Sequence, residues 1–561
     1  MKLYRYIAII AAVAISASCS KILNEVKPES GSLLAQQNQE TNAAVPTRAS
    51  ASFNGLFNAL GLPYYCGYNK PDDWGVLMML FCNDLESADA FIPDSGYNWF
   101  SVCGEYSSRS SNYRNPTIRY KVPYNLISNV NDFLAGFGDD VTDENSLYMI
   151  AQAKALRAYA YMLLAPAFQF NYVNHKDDPC VPICTMDTEL VPDPANNPRA
   201  TVGKIYELIL QDLNEAVDGL AGYKRSNKMY IDQQVAYGLR ARAYLDMGMY
   251  AEAAADAAEA MKGYTPASIA EVSVPSFMDI NEHNWIWGFD MDAAKANQGI
   301  YATSSSWLRS FSGYSYSAAC QCYTCINSIL YVKIPDTDVR KGWWLNENSY
   351  SPLLDGLTWN AGDNGSASGQ DIVGFEYDDK LSFIPYTNVK FGCLIIGTTE
   401  NAEDSPLMRV EEMILLRAEA LAKSGNEAEG KKILEDFVKT YRDPSYSVTA
   451  GGRNFADEVW FQRRVELWGE GFGIYDTKRL NKPMVRFLGE DGTDGDGNPV
   501  ILPGITNQPT AFRFNMAADD GWLLMKFADG ELNTNFGIKD NTEGELPKTD
   551  QNYKLRDGVT D

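Results

Sequence analysis

The sequence predicts a mostly α-helical protein, built of tetratricopeptide-like helical repeats with an irregular, loop-rich region inserted between them. Three observations carry that reading. Residues 203–220 place Ile205, Leu208, Ile209, Leu213, Ala216, Val217 and Leu220 on one face at the 3.6-residue period of an amphipathic helix. Two distant segments share one spacing: Ala243-Tyr-Leu-Asp-Met-Gly248-Met-Tyr-Ala251-Glu252-Ala253 can be laid over Ala420-Leu-Ala-Lys-Ser-Gly425-Asn-Glu-Ala428-Glu429-Gly430. In each, a helix rich in small residues ends at glycine and a second begins with Ala-Glu. That is the pattern of a tetratricopeptide unit, whose small side chains let paired helices approach closely. Between the two hairpins, 265–405 shows little helical period and many Gly, Ser, Asn and Pro residues.

The elements follow in chain order. Lys2 and Arg5 precede the apolar run Tyr6 to Ile15, which is too short to span a bilayer and reads as an export signal. Ser16-Ala17-Ser18 then offers small side chains to a signal peptidase, and Cys19 follows. Residues 1–18 are therefore expected to be a lipoprotein signal peptide. Cys19 is expected to carry the acyl (palmitate) chains, and 19–48 to be a flexible polar tether. The region 49–264 is expected to be helical, with helices at 120–137 after Pro123, at 151–165 ended by Pro166, and at 203–220 capped by Thr201. Residues 265–405 form the aromatic-rich insert, and 406–561 return to repeat helices and loops. Asp491, Asp494 and Asp496 lie among glycines, but Pro499 and Ile505 replace the glycine and glutamate a calcium loop needs, so a solvated turn is expected.

Composition narrows the function. A net charge of −25 over 561 residues argues against nucleic acid and anionic membrane surfaces, and suits an exported protein with an uncharged or cationic ligand. Ten cysteines, nine if Cys19 is lipidated, are too unevenly spaced for a disulfide scaffold. The close groups Cys180/Cys184 and Cys320/Cys322/Cys325 favour local disulfides over zinc, which lacks a fourth ligand nearby. No metal or cofactor is expected.

Six segments, taken in order, resemble the SusD/RagB family of outer-membrane nutrient-uptake lipoproteins of Bacteroidetes-type bacteria. They are YNLISNVNDFL (124–134), AKALRAYAYMLLAPAF (153–168), IYELILQDLNEAV (205–217), VAYGLRARAYLDMGMYAEAAADAAEAM (235–261), RVEEMILLRAEALAKSGN (409–426) and FQRRVELWGEGFGIYDTKRL (461–480). Gln462 and Gly473 depart from the Glu and Arg that the last signature often carries. The resemblance implies a SusD-like α/α superhelix, anchored by lipid at the outer membrane and facing outward. It also implies a lid on a SusC-like TonB-dependent transporter that receives glycans or other nutrients and does not cleave them. The signature's charges (Arg463, Arg464, Glu466, Glu470, Asp476, Arg479) read physically as an ion-paired helix-to-loop junction, because buried charges must be paired.

A neutral glycan is held by flat aromatic rings backed by a few polar groups. The candidates in the insert are Trp307, Tyr314, Tyr316, Trp343 and Trp344, which stand beside Ser and Gly. A second cluster in the N-terminal loops adds Trp74 and Trp99, with Asp73 and Asn98 as hydroxyl partners. Trp285 and Trp287 alternate in NWIWGF and read as core on a strand. The rivals are the same uptake role with a peptide or other nutrient as cargo, and a surface glycoside hydrolase using two carboxylates. Only His175 and His283 are present to serve a triad, and no G-x-S-x-G, HExxH or P-loop pattern occurs.

Overall fold

An amphipathic helix cannot bury its apolar stripe alone, and here most of the long helices find a partner in the next one along the chain. The computed structural model describes residues 39, 41–42, 46–93, 99–138, 140–185, 191, 193–296, 307–309, 322–360, 366–368, 383–393, 402–487 and 510–539. Cys19, Asn98, Tyr314, Tyr316, Cys320 and the 491–496 turn lie outside them.

The N-terminal part comprises α1 (Pro46–Leu56), α2 (Gly75–Glu86), α3 (Arg114–Ala135), α4 (Glu144–Phe168), α5 (Val202–Gly219), α6 (Gln233–Met247) and α7 (Tyr250–Ala260). Helix α4 packs between α3 and α5, α5 against α6, and α6 against α7. Thr201 caps α5 as expected, its hydroxyl accepting from the Lys204 N–H at 3.2 Å. Two helix limits differ from the sequence reading. Helix α3 begins at Arg114 and runs through Pro123. The buried Arg119 guanidinium ties its first turns to α2, donating to the Met79 carbonyl at 2.8 Å and pairing with Glu86 at 3.2 Å. Helix α4 passes Pro166 and ends at Phe168, where the Lys478 ammonium donates to the Pro166 carbonyl. In both cases tertiary contacts override the local cost of proline.

The two matched hairpins are neighbours in space. Helix α6 turns into α7 at Gly248 (φ +75°), and α8 (Val410–Lys423) turns into α9 (Glu427–Tyr441) at Gly425 (φ +94°). Left-handed backbone at these turns is where glycine is free of strain. Helix α7 packs directly on α8, so the repeat stack continues across the insertion. The insert leaves and re-enters through an antiparallel pair, β1 (Trp285–Phe289) with β2 (Ser405–Arg409). Trp285 and Trp287 are fully buried there, as expected, and the Trp287 indole donates to the Met229 carbonyl at 2.9 Å. Helices α10 (Phe455–Glu466), packed on α8, and α11 (Gly473–Arg479) carry the C-terminal signature. Among the described residues no helix is long and apolar enough to cross a membrane.

Candidate functional site

The signature is the point at which the insert is fastened to the repeats. The Glu466 carboxylate, at the end of α10, accepts from Arg442 (2.8 and 2.9 Å), Arg409 (3.1 Å) and Arg340 (3.3 Å). Arg409 also bonds Glu470 (2.8 Å) and lies 3.0 Å from Glu411, while Arg340 bonds Asp338 at 2.6 Å. Lys390 uses all three donors, on the Glu466 and Trp468 carbonyls and on Glu470. All eight side chains are almost fully buried. Four cations (Arg340, Lys390, Arg409, Arg442) thus meet four anions (Asp338, Glu411, Glu466, Glu470), and the cluster is neutral. Burial opposes ionisation of Glu466, but Arg442, Arg409 and Arg340 outweigh it and hold the carboxyl well below the usual range. Burial pulls Lys390 down to about 8. The adjoining charges pair as well: Arg463 with Asp476 (2.7 Å), Arg464 with Asp89 (2.8 Å) and Arg479 with Glu419 (2.6 Å).

The two departures from the family signature have physical grounds here. Gln462 accepts from Arg340 at 2.6 Å and donates to Glu458 at 2.9 Å, so it meets the hydrogen bonds without another charge. At Gly473 a Cβ would stand 2.6 Å from the Ser87 Cβ, where the turn closes on the end of α2. That turn is held by Asp84, whose carboxylate accepts the Gly471 and Gly473 N–H groups at 2.8 and 3.1 Å.

The insert tryptophans expected to stack on sugar point inward instead. Trp343 and Trp344 are fully buried. The Lys390 ammonium lies 4.8 Å from the Trp343 ring centre, and Phe277 covers Arg409 at 4.6 Å. Trp344 packs edge-on against Trp468 at 5.4 Å. Trp343 and Phe277 roof the buried cations, a contact that strengthens where water is excluded. Trp307, also fully buried, packs edge-on against Phe100 at 4.8 Å. Trp74 is buried beside Tyr64. A ring without an open face cannot stack on a ligand, so Trp74, Trp307, Trp343 and Trp344 are core residues. Asp73 is also fully buried, its carboxylate accepting from the Cys66 and Tyr68 N–H groups at 2.8 and 2.7 Å. It shapes a loop and has no room for a sugar hydroxyl.

The loop that Asp73 shapes holds the half-exposed rings. In Leu62-Pro-Tyr-Tyr-Cys-Gly-Tyr-Asn-Lys70, the Tyr64 N–H donates to the Asp73 carbonyl and the Gly67 N–H to the Tyr64 carbonyl, with Gly67 at φ +85°. Tyr64, Tyr65 and Tyr68 are left half-buried on this pinned turn, and so is Trp99. The Lys70 ammonium lies 4.8 Å from the Trp99 ring centre and Lys121 lies 5.6 Å from that of Tyr68. Asn129 donates to the Tyr65 hydroxyl at 3.2 Å, and burial pushes that hydroxyl up to about 12. Asp72 is taken by Arg114, with both carboxylate oxygens within 3.0 Å of Nε. The shelf therefore offers aromatic faces, an exposed Asn69 and two lysines. Of the expected N-terminal cluster Trp99 lies on this shelf. The three tyrosines were missed, although PYYCGYNK shows them crowded around a glycine. Of the cysteines favoured for local disulfides, Cys180, Cys184 and Cys325 are free thiols, as are Cys82 and Cys103.

Residues 76–245 match a family model described as starch-binding, associating with outer membrane, and residues 388–558 match the model of the SusD family. Together the two take in well over half of the chain. The chain belongs to the SusD/RagB family. The first SusD/RagB match takes in α2 to α6, and the second takes in Lys390 and the junction from Arg409 to Glu470. No curated protein matches the sequence. A SusD-like carbohydrate-binding protein from Bacteroides vulgatus shares the fold with a TM-score of 0.68 at 20% identity, covering 90% of this chain and 98% of its own. A SusD superfamily protein from Bacteroides thetaiotaomicron gives 0.66 at 18%, covering 88% and 99%. A laminarin-binding SusD-like protein gives 0.57 at 18%, also covering 88% and 99%.

Proposed function

We propose that this SusD/RagB protein is a cell-surface lipoprotein that captures oligo- or polysaccharide and delivers it to a SusC-like TonB-dependent transporter without cleaving it. Cys19 anchors it to the outer membrane, facing outward, and the polar stretch to residue 48 lets it move over its partner. The observation that supports glycan binding is the half-exposed aromatic shelf of Tyr64, Tyr65, Tyr68 and Trp99, held by buried Asp73 on a fold shared with carbohydrate-binding proteins. Flat rings with an amide neighbour suit the apolar faces and hydroxyl rims of sugars. Asn98, Tyr314 and Tyr316 remain candidates to complete the site. The second reading keeps the uptake role with a peptide as cargo, because tetratricopeptide hairpins bind peptides in grooves.

The test is a glycan array probed with the soluble chain lacking residues 1–19, repeated with Trp99→Ala and Tyr68→Ala. The expected result is binding to one glycan class that weakens roughly tenfold in each variant, about 1.4 kcal/mol. Unaltered binding in both variants removes the shelf from the site. An empty array beside binding to a peptide library selects the second reading.

A further inference from the structure

Two cysteines distant in the sequence stand on neighbouring elements. Cys82 lies in the last turns of α2, and Cys103 lies in the short helix Ser101–Gly104 packed beside it. Both are free thiols in this structure, and they line one small void with Met78, Met79 and Arg119. The two backbones are stitched side by side independently of the thiols. One guanidinium, Arg486, donates to the Gly104 carbonyl on one side and to the Leu85 and Glu86 carbonyls on the other. The Tyr106 hydroxyl donates to the Glu86 carbonyl at 2.7 Å. Both thiols are buried, at 5% and 1% exposure, beside the Arg119 guanidinium.

We propose that Cys82 and Cys103 are a disulfide pair, closed as the chain folds in an oxidising compartment. The pairing stands on the geometry, and the compartment rests on the export reading given above. The chemistry is thiol–disulfide exchange with a disulfide-bearing oxidant, either glutathione disulfide or a thiol oxidoreductase. The Cys82 thiolate attacks one sulfur of the oxidant, whose other sulfur leaves as a thiolate. The Cys103 thiolate then attacks the Cys82 sulfur, forming the Cys82–Cys103 bond and releasing the oxidant's second sulfur. Both cysteines are oxidised, the oxidant is reduced to two thiols, and those thiols take up the two protons.

Burial makes the step a folding event. In the folded, reduced protein the neighbouring thiol, burial and Glu86 hold the Cys103 proton in place, which starves exchange of thiolate. The partly folded chain exposes both sulfurs. Once formed, the bond closes a loop that contains the strand Ala90–Phe91 and Trp99, and so fixes one edge of the aromatic shelf. A cross-link acts by removing freedom from the unfolded chain and from any locally opened state.

The experiment is oxidative refolding of the full chain. Protein unfolded in urea with reductant is diluted into a mixture of reduced and oxidised glutathione. Remaining thiols are alkylated under denaturing conditions, and the unreduced protein is cut with a glutamate-specific protease, which cleaves at Glu86 between the two cysteines. The expected product is one linked species joining the Cys82 and Cys103 peptides, lost on reduction, with Cys103 alkylated when Cys82→Ser is refolded. Alkylation of both cysteines in the wild type, or linkage spread over other pairs, overturns the proposal. In a second measurement, reductant lowers the thermal midpoint of oxidised wild type and leaves that of the Cys82→Ala/Cys103→Ala variant unmoved. Equal responses also overturn it. Linkage in refolded protein but not in protein recovered from cells refutes the compartment and leaves the pairing standing.

Discussion

Replacing Glu466 by Gln tests the junction most directly. The substitution keeps the shape of the side chain and removes one charge from a cluster of four cations and four anions, leaving one excess positive charge at side chains with no solvent exposure. It also turns an N–H₂ group toward three guanidinium groups that offer only donors. Breaking a buried ion pair by deleting one partner costs roughly 3–5 kcal/mol, because the remaining charge is stranded away from water. Unfolding entropy of about 2.1 cal/mol/K per residue converts this to a fall of roughly 2.5–4 °C in midpoint if a chain of this size unfolds as one unit, and to more if the junction belongs to a smaller unit. Calorimetry at roughly 0.1 M and 1 M salt should give the same loss, since buried pairs are little screened. The pH profile has a definite sign. Glu466, Glu470, Glu419 and Asp476 are all held below their ordinary values, against burial, chiefly by Arg442 for Glu466, Arg409 for Glu470, Arg479 for Glu419 and Arg463 for Asp476. Their stabilisation is complete above the unfolded value, about 4.3 for Glu, and is lost as pH falls through the lower folded values. Glu466→Gln should therefore flatten the acid limb of the stability curve as well as lower its plateau. A loss below about 1 kcal/mol, or one that disappears in high salt, would show that water reaches the cluster and would refute the reasoning.

Three further outcomes are expected. Arg486→Met removes the donor shared by the Leu85, Glu86, Ser87 and Gly104 carbonyls, so chemical denaturation should register a loss of roughly 2–4 kcal/mol, with α2 fraying from its C-terminal end in hydrogen exchange. Gly471→Ala puts a Cβ 2.6 Å from that of Leu80 at a φ of +89°, and should cost at least about 2 kcal/mol; Gly530→Ala, with open space around it, should stay within about 0.5 kcal/mol. Trp344→Ala should lose roughly 3–5 kcal/mol of stability as a cavity opens under the junction, whereas Trp99→Ala should leave the thermal midpoint nearly unchanged and weaken glycan binding. Stability loss in the second or none in the first would reverse the assignment of core and shelf.

The repeats were legible in the sequence because helices announce themselves locally. The stripe in α5 and the Gly248 and Gly425 turns need no knowledge of the rest of the chain. What was not legible is that α7 meets α8 across the whole insert, since no local pattern encodes a contact between Tyr250–Ala260 and Val410–Lys423. The signature charges were readable as a paired junction. Two of their partners, Arg340 and Lys390, come from the insert, as does the Asp338 that pairs with Arg340, and could not be named in advance. The same gap explains the tryptophans: beside Ser and Gly they look available, yet an insert with few long helices must bury something. Here that something is the roof over Lys390, Arg409 and Arg442. The shelf was overlooked for the converse reason. Tyr64, Tyr65 and Tyr68 owe their half-exposure to a loop folded on the carboxylate of Asp73, a residue expected at the ligand.

The neutrality of the junction bears on the one acid this signature lacks. Glu at 462 would keep an acceptor for Arg340 at 2.6 Å, but would make five anions against four cations and face Glu458, which already accepts from the Gln462 amide at 2.9 Å and is paired with Arg453 at 3.0 Å. Two carboxylates at that separation in a dry site cannot both ionise cheaply, so one retains a proton. Gln462→Glu should therefore destabilise the protein at neutral pH by roughly 1–3 kcal/mol, the cost of a misplaced buried polar group. The deficit should shrink in acid: with the folded value of the new carboxyl raised above the unfolded one, its relative stability is present below about 4.3 and lost as pH rises through the folded value. Urea titrations of both proteins from pH 4 to 8 read this directly, and a gap that widens toward acid would mean that Arg340, rather than Glu458, governs the site.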